Sequence, residues 1–350
     1  MKDRANTVTT QRTGSRFPLD GWERALILLL ILEIAGFSFG IPGFYDGFGS
    51  FLGLTQNFLP FGIVALGLGV VILTGGIDLS VGSVAGLGAI VMAELWQGLH
   101  LSIWIAAFFG ILLGAGLGWI NGMIITRFRT EPLIATLATS FIFGSIGTAL
   151  AGASPPSGFP DSFNALGQGL IGGILPYQLL LFVVLAVFFS LLMSRSAYGR
   201  KIVMVGYNGD AARYSGIRVG RIIASAYVIS GAMSALAGIV LASYYSAVRP
   251  DMGDILLLTT ITMVVLGGIS IFGGEGSMTG VVLAVLILGL LRQGMLIAGF
   301  SDMVTTMLTG AILVSAIAIR NLLSGRGTGI ALLFLRLRSL GGGTGTEAAE

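Results

Sequence analysis

The sequence predicts an all-α fold, a polytopic transmembrane helix bundle of about ten spans with both termini cytoplasmic. Three observations lead there. The chain is 55% hydrophobic and only 10% charged, where soluble domains run near a quarter charged residues. Apolar runs of about twenty residues, the length that crosses a bilayer, recur along the chain. Of the 19 Lys and Arg residues, all but Arg249 and Arg292 fall on one alternating set of loops and tails, and that bias sets membrane orientation. The 55 glycines fit the same reading, because glycine in apolar runs lets helix backbones approach closely.

Taken in order, residues 1–21 form a polar cytoplasmic tail carrying Arg4, Arg12 and Arg16. The apolar run that follows is too long for a signal-peptide core and is expected to be retained. Span 1 covers residues 22–41 and embeds Glu33. Span 2 covers 51–73, with Gln56, Asn57 and Pro60 as polar or kinking features of its first turns. In TGGIDLSVGS (74–83), Gly75 and Gly76 break the helix, and Asp78 or Ser80 caps a small-residue helix running to Trp96. Span 4 covers 101–125 and ends at Arg127 and Arg129. Span 5 starts at Pro132, suited to a first helical turn, and runs to 150. Residues 152–173, rich in Gly, Pro and Ser, read as an outer loop before span 6 at 175–193. After a basic segment come span 7 (222–246), VRPDMGD as an outer turn, and span 8 (255–271). A second glycine break at Gly273 and Gly274 precedes span 9 (278–296) and span 10 (304–319). Residues 323–350 form a cytoplasmic tail. The stretches GVVILTGGIDLSVGSVAGL and MVVLGGISIFGGEGSMTGVVL both run apolar helix, Gly-Gly, acid, Ser and Gly-rich helix. This is a faint internal repeat, with both breaks on one side of the membrane.

The polar segment 194–221 is the longest such interruption. It carries Arg195, Arg200, Lys201, Arg213, Arg218 and Arg221 against one acid, Asp210. Asn208-Gly209-Asp210 gives a turn and a helix cap, residues 211–215 a short helix, and Gly216 its end. Such a capped helix is either an ordinary solvated loop or a feature that another protein grips.

Several chemistries are excluded. There is no cysteine, and His100 is the single histidine, so thiolate metal sites and histidine clusters are ruled out. The two lysines, Lys2 and Lys201, stand in no G-x-x-x-x-G-K-[ST] pattern. ATP, if it drives this protein, therefore binds on another chain. No catalytic set and no metal-ligand set is visible, and nothing reads as a nucleic-acid surface. Asp78, an ionisable group between apolar helices, is a functional candidate by default; equally, it caps the following helix. Glu33 either faces a cavity or pairs across helices, for example with Arg292. A translocation path would draw on Gln56, Asn57, Asp78, Ser80 and Thr136. An ion-coupled secondary transporter cycling Glu33 or Asp78 is the rival reading, and an intramembrane enzyme the distant one.

Three motifs in order, GGIDLSVGS, G-x-N-x-x-A-A-R-x-S-G-I (206–217) and LGGISIFGGEGS (266–277), resemble the permease subunits of bacterial ABC importers for monosaccharides. These are the ribose, xylose, arabinose and galactose type, together with rhamnose and autoinducer-2. The likeness covers residues 22–322, and GWERALILLLILEIAGF and YYSAVRPDMGD look most like the rhamnose and autoinducer-2 branch. Glu275 departs from the pattern, which leads us to expect a basic or neutral residue there. The resemblance implies a multi-pass protein of the bacterial inner membrane, without a cofactor of its own. In such importers a cytoplasmic coupling helix docks in a groove of the ATP-binding subunit. Asn208, Asp210, Ala211, Ala212, Arg213, Ser215 and Gly216 would carry it here. The implied partners are that ATP-binding subunit with its ATP and Mg, a periplasmic sugar-binding protein, a second permease protomer and membrane lipid.

Overall fold

The computed structural model describes residues 21–153 and 155–323; apart from Gly21 and Leu323, the two predicted tails lie outside them. The described residues are predominantly helical, as expected. In chain order come α1 (Gly21–Gly40), α2 (Phe48–Gly53), α3 (Leu59–Leu73), α4 (Val81–Gly98), α5 (Ile103–Phe128), α6 (Pro132–Ala151) and α7 (Asp161–Gln168). Then follow α8 (Tyr177–Arg195), α9 (Ala197–Tyr207), α10 (Gly209–Tyr214), α11 (Val219–Tyr245), α12 (Leu256–Leu266), α13 (Met278–Ile297) and α14 (Asp302–Leu323). A two-residue antiparallel hairpin, β1 (Leu170–Ile171) with β2 (Leu175–Pro176), pairs Leu170 with Pro176 and Ile171 with Leu175.

Among the described residues six helices, α4, α5, α6, α8, α11 and α13, are long and apolar enough to cross a membrane. The α2–α3 pair makes a seventh if counted as one span, bent by 54°. Helices α1, α12 and α14 occupy the places of predicted spans 1, 8 and 10.

Helix α3 is the centre of the bundle: all 15 of its residues are buried. LPFGIVALGLGVVIL has no polar stripe because it has no solvent face to present. Helix α11 packs on α3, α4 and α5. Its seam with α5 follows Gly114, Gly118 and Gly122, four residues apart, and Gly110, one turn earlier, meets Gly88 of α4. A Cβ at Gly118 would lie 2.0 Å from the Tyr227 carbonyl oxygen, and one at Gly114 would lie 2.5 Å from that of Gly231. Only a hydrogen fits there, so the glycine content is spent on backbone-to-backbone packing.

Four expectations are revised. Span 2 is not one rod. A 3₁₀ turn, Leu54–Asn57, and the bend at Phe58 interrupt it, because Pro60 in the first turn of α3 has no N–H to continue a helix from above. The loop at 152–173 holds α7 and β1, and β2 takes the first two residues of predicted span 6. Span 8 is only 11 residues long, ended by Gly267 and by Gly268 at φ +93°. Finally, VRPDMGD is not a simple cap on the helix ends. Gly82 and Gly86, in the first two turns of α4, meet the carbonyl oxygens of Gly253 and Pro250, each 2.6 Å from where a Cβ would stand. Gly98, the far end of α4, is roughly 18 Å beyond Gly86 at 1.5 Å per residue. The segment 249–254 therefore turns back alongside α4 before α12 begins.

Candidate functional site

The polar segment folds as two short helices around one side chain. Asn208 ends α9 and starts α10, its Oδ1 accepting the N–H groups of Asp210 at 3.0 Å and Ala211 at 2.9 Å. At the far end Gly216 takes φ +79°. Its N–H donates to Arg213 O, and that of Ile217 to Ala212 O, a Schellman closure. These caps let a six-residue helix persist, since so short a segment is unstable by propensity alone. Of its residues, Ala212 is 1% exposed and faces the chain's own body. Asp210, Ala211, Arg213, Tyr214 and Ser215 are exposed, and Asp210 lies 3.6 Å from Arg213. The outward surface thus includes Ala211, Arg213 and Tyr214, while Ala212 turns inward.

Helix α9 carries this surface to the core. Ile202 and Val205 are buried, and Tyr198 Oη lies 2.8 Å from Ser225 Oγ of α11. At the last turn, a Cβ on Gly206 would stand 1.9 Å from Leu73 O and 2.5 Å from Gly274 N. Leu73 ends α3 and Gly274 belongs to the second helix break, and the two are joined by Gly274 N–H donating to Leu73 O at 2.9 Å. A Cβ on Gly273 would lie 2.6 Å from Gly75 N. Gly75, Gly273 and Gly274 thus bring the two halves of the faint repeat together directly beneath the end of α9, while Gly76 packs against Tyr227 of α11.

Asp78, Ser80 and Thr136 converge in one buried polar node at the first break. Asp78 Oδ1 accepts from Ser80 N at 3.0 Å and Ser80 Oγ at 2.6 Å, and its Oδ2 accepts from Ser230 Oγ of α11 at 2.8 Å. Asn121 of α5 donates its Nδ2 to Ser80 Oγ at 2.8 Å. Thr136 of α6 accepts the Leu79 N–H at 3.1 Å, and Tyr227 Oη donates to Ile77 O at 3.4 Å. Helices α5, α6 and α11 are thereby tied to the break, α11 through a carboxylate both of whose oxygens are engaged, and Asp78 is 1% exposed. It anchors the break rather than presenting a free group to a solute.

Gln56 and Asn57 lie elsewhere, at the opposite end of α3, about 22 Å away by its length. There Asn57 Oδ1 accepts from Tyr244 Oη at 2.9 Å. Arg292 pairs with Asp302 at 2.6 Å and sits over the Phe61 ring at 5.7 Å; Asp302, not Glu33, is its acidic partner. Both Glu33 carboxylate oxygens are buried, with no hydrogen-bond partner among the described residues.

A family model described as the permease component of a branched-chain amino acid transport system matches residues 50–317. The chain belongs to this family of importer permeases. It is 39% identical over 306 residues to the autoinducer 2 import system permease protein LsrD of Salmonella typhi, covering 86% of this chain and 91% of that one. LsrD proteins of Klebsiella pneumoniae and Yersinia enterocolitica are also 39% identical, over 307 and 310 residues; each match covers 86% of this chain and 92% of the relative. The chain is accordingly a membrane permease subunit of an ABC importer, a multi-pass inner-membrane protein and a transport component rather than an enzyme. The matched region contains both helix breaks, the α9–α10 hairpin and the Asp78 node.

Gly206, Asn121, Tyr227 and Ser230 complete these features and were not singled out in the sequence. Asn121 is the one legible signal among them, an amide inside an otherwise apolar, glycine-rich run.

Proposed function

We propose that the chain is one of two permease protomers, identical or related, in an ATP-driven importer of a monosaccharide or sugar-like solute. The solute is of the class of autoinducer-2, rhamnose or a ribose-type pentose. The relatives named for autoinducer 2 import support that choice over an amino acid. Counting α1, the α2–α3 pair, α4, α5, α6, α8, α11, α12, α13 and α14 as crossings gives ten spans and two cytoplasmic termini. Residues 22–322 are then the permease domain, and 1–21 and 323–350 its tails. The positive-inside bias supports this topology, and so does the α9–α10 hairpin on the same side as both breaks.

One observation carries the mechanism: Gly206, two residues before the α10 cap, is wedged between the end of α3 and the second break. A partner ATP-binding subunit, holding ATP and Mg, grips Ala211, Arg213 and Tyr214. When its closure displaces α10, α9 moves as a lever and shifts both broken helices together, opening one side of the path as it closes the other. A periplasmic binding protein delivers the solute at the opposite face, and lipid surrounds the pair. The test is gentle extraction from native membranes with mass spectrometry of what co-purifies. A P-loop ATPase that is retained by the wild type and lost from Ala211→Arg supports the reading. A chain that purifies alone and transports on an ion gradient without ATP would refute it.

A further inference from the structure

Resting on the importer reading, we propose that a cleft between α4, α6 and segment 249–254 binds the solute during passage, and that it selects a neutral polyhydroxy molecule over a zwitterionic amino acid. The cleft has a volume of about 710 Å³ and is lined by Ser83, Ser140, Phe141, Ser145, Thr148 and Asp254, among others. That size falls within the range of small-molecule sites.

The chemistry of the lining sets the class of ligand. Ser83 Oγ donates to Ser80 O at 2.9 Å, Ser140 Oγ to Leu137 O at 2.7 Å and Thr148 Oγ1 to Gly144 O at 3.0 Å. Their protons are committed to the helix backbone, so what they turn to the cleft is oxygen lone pairs. Asp254 adds a carboxylate, again an acceptor. The wall is therefore rich in acceptors, and among the described residues no Lys, Arg or His lines it. A polyol brings many O–H donors and no charge, which matches. The ammonium of an amino acid could pair with Asp254, but its carboxylate would then meet only acceptor oxygens, with no cation or free donor to hold it, a costly arrangement. Phe141, 69% exposed, offers an aromatic face to the C–H side of a sugar ring.

Placement agrees. Residues 140, 144 and 148, with 141, 145 and 149, form two adjacent rows on α6 four residues apart, so the hydroxyls stack along the helix axis as a track. The non-helical segment holding Asp254 runs beside the first turns of α4. Irregular backbone at membrane depth persists only where it is buried in protein or lines water. Four hydroxyls and a carboxylate turned to acyl chains would be unfavourable for the same reason, so the cleft faces the aqueous path enclosed by the second protomer.

The chain has no cysteine, so Ser145→Cys introduces a unique thiol. The experiment measures its labelling by a water-soluble maleimide in membrane vesicles containing the whole complex. The probes are autoinducer-2, D-ribose and L-leucine. A solute at ten times its Kd slows labelling about tenfold. Slowing by autoinducer-2 or D-ribose and not by L-leucine, abolished in Ser145→Cys with Asp254→Lys, supports the assignment. Slowing by L-leucine, or by none of the three at millimolar concentration, overturns it, as does a thiol that never labels in folded protein. ATP-dependent uptake measured in the same vesicles separates the two claims: if it persists while protection fails, only the cleft assignment falls.

Discussion

Replacing Gly206 by alanine tests the lever with a single methyl group. The added Cβ would stand 1.9 Å from Leu73 O, and real Cβ atoms essentially never come within 3.0 Å of such an atom. The backbones must therefore part by at least about 1.1 Å (3.0 minus 1.9), and neither neighbour is a side chain that can swing away. Overpacking of this kind costs about 1–3 kcal/mol, and weakening the Gly274–Leu73 hydrogen bond adds about 1 kcal/mol. Even the low end of that sum, about 2 kcal/mol, shifts a two-state equilibrium about thirtyfold toward an α9 lifted from the breaks. Helix α10 and its caps are untouched, so the ATP-binding subunit still docks. In proteoliposomes, Gly206→Ala should hydrolyse ATP while moving at least tenfold less solute per ATP, given that shift. Gly209→Ala is the control, because a Cβ there meets nothing within 4 Å. A Gly206→Ala complex that folds and keeps the wild-type ratio of uptake to hydrolysis would show that α9 is not the lever.

Three further outcomes follow from the geometry. Asp78→Asn keeps an acceptor for Ser80 and a donor for Ser230, so it should melt and transport close to wild type; Asp78→Leu orphans the buried hydroxyls and should lose about 3 kcal/mol of stability in detergent. A proton-carrying Asp78 would instead make the Asn variant inactive. Asn208→Ala removes a cap bonded to two N–H groups and should cost about 1 kcal/mol of local stability, read as faster hydrogen exchange confined to residues 209–215. Burial against α11 raises the Tyr198 phenol above the ordinary tyrosine range. The stability contributed by its neutral form is present below that range and lost as pH rises through the raised value. Alkaline titration at 295 nm should therefore show Tyr198 ionising above the ordinary tyrosine range, and Tyr198→Phe should lower the late absorbance change by one phenol.

Much of this was readable from residue types whose local rule has no competitor. Asn208 and Gly216 announce a cap and a left-handed stop wherever they stand in such a segment, and the short helix appears between them. Gly75, Gly76, Gly273 and Gly274 mark breaks for the same reason. What stayed hidden was set by contacts between distant parts of the chain. No local pattern says that Ala212 turns inward while Ala211 turns out, because an isolated six-residue helix has no preferred face. Nor does one say that Gly206 touches Leu73 and Gly274, or that Gly82 and Gly86 admit the segment from Arg249 to Asp254 beside α4. Glycines used for turns and glycines used for packing are identical in the sequence. The candidate path residues divided for a related reason: Gln56 and Asn57 are polar, as are Asp78, Ser80 and Thr136, but one buried helix stands between the two groups.

The most direct measurement is a cross-link from Tyr214→Cys, which places a unique thiol on a position 93% exposed at the end of α10. A short bifunctional reagent is applied to native membranes with and without ATP. Docking predicts a product joining this chain to the ATP-binding subunit, its yield changing with nucleotide, while Ser145→Cys on α6 gives none. Absence of that product at Tyr214→Cys, in membranes that still take up solute on addition of ATP, would contradict the assignment of α10 as the coupling helix.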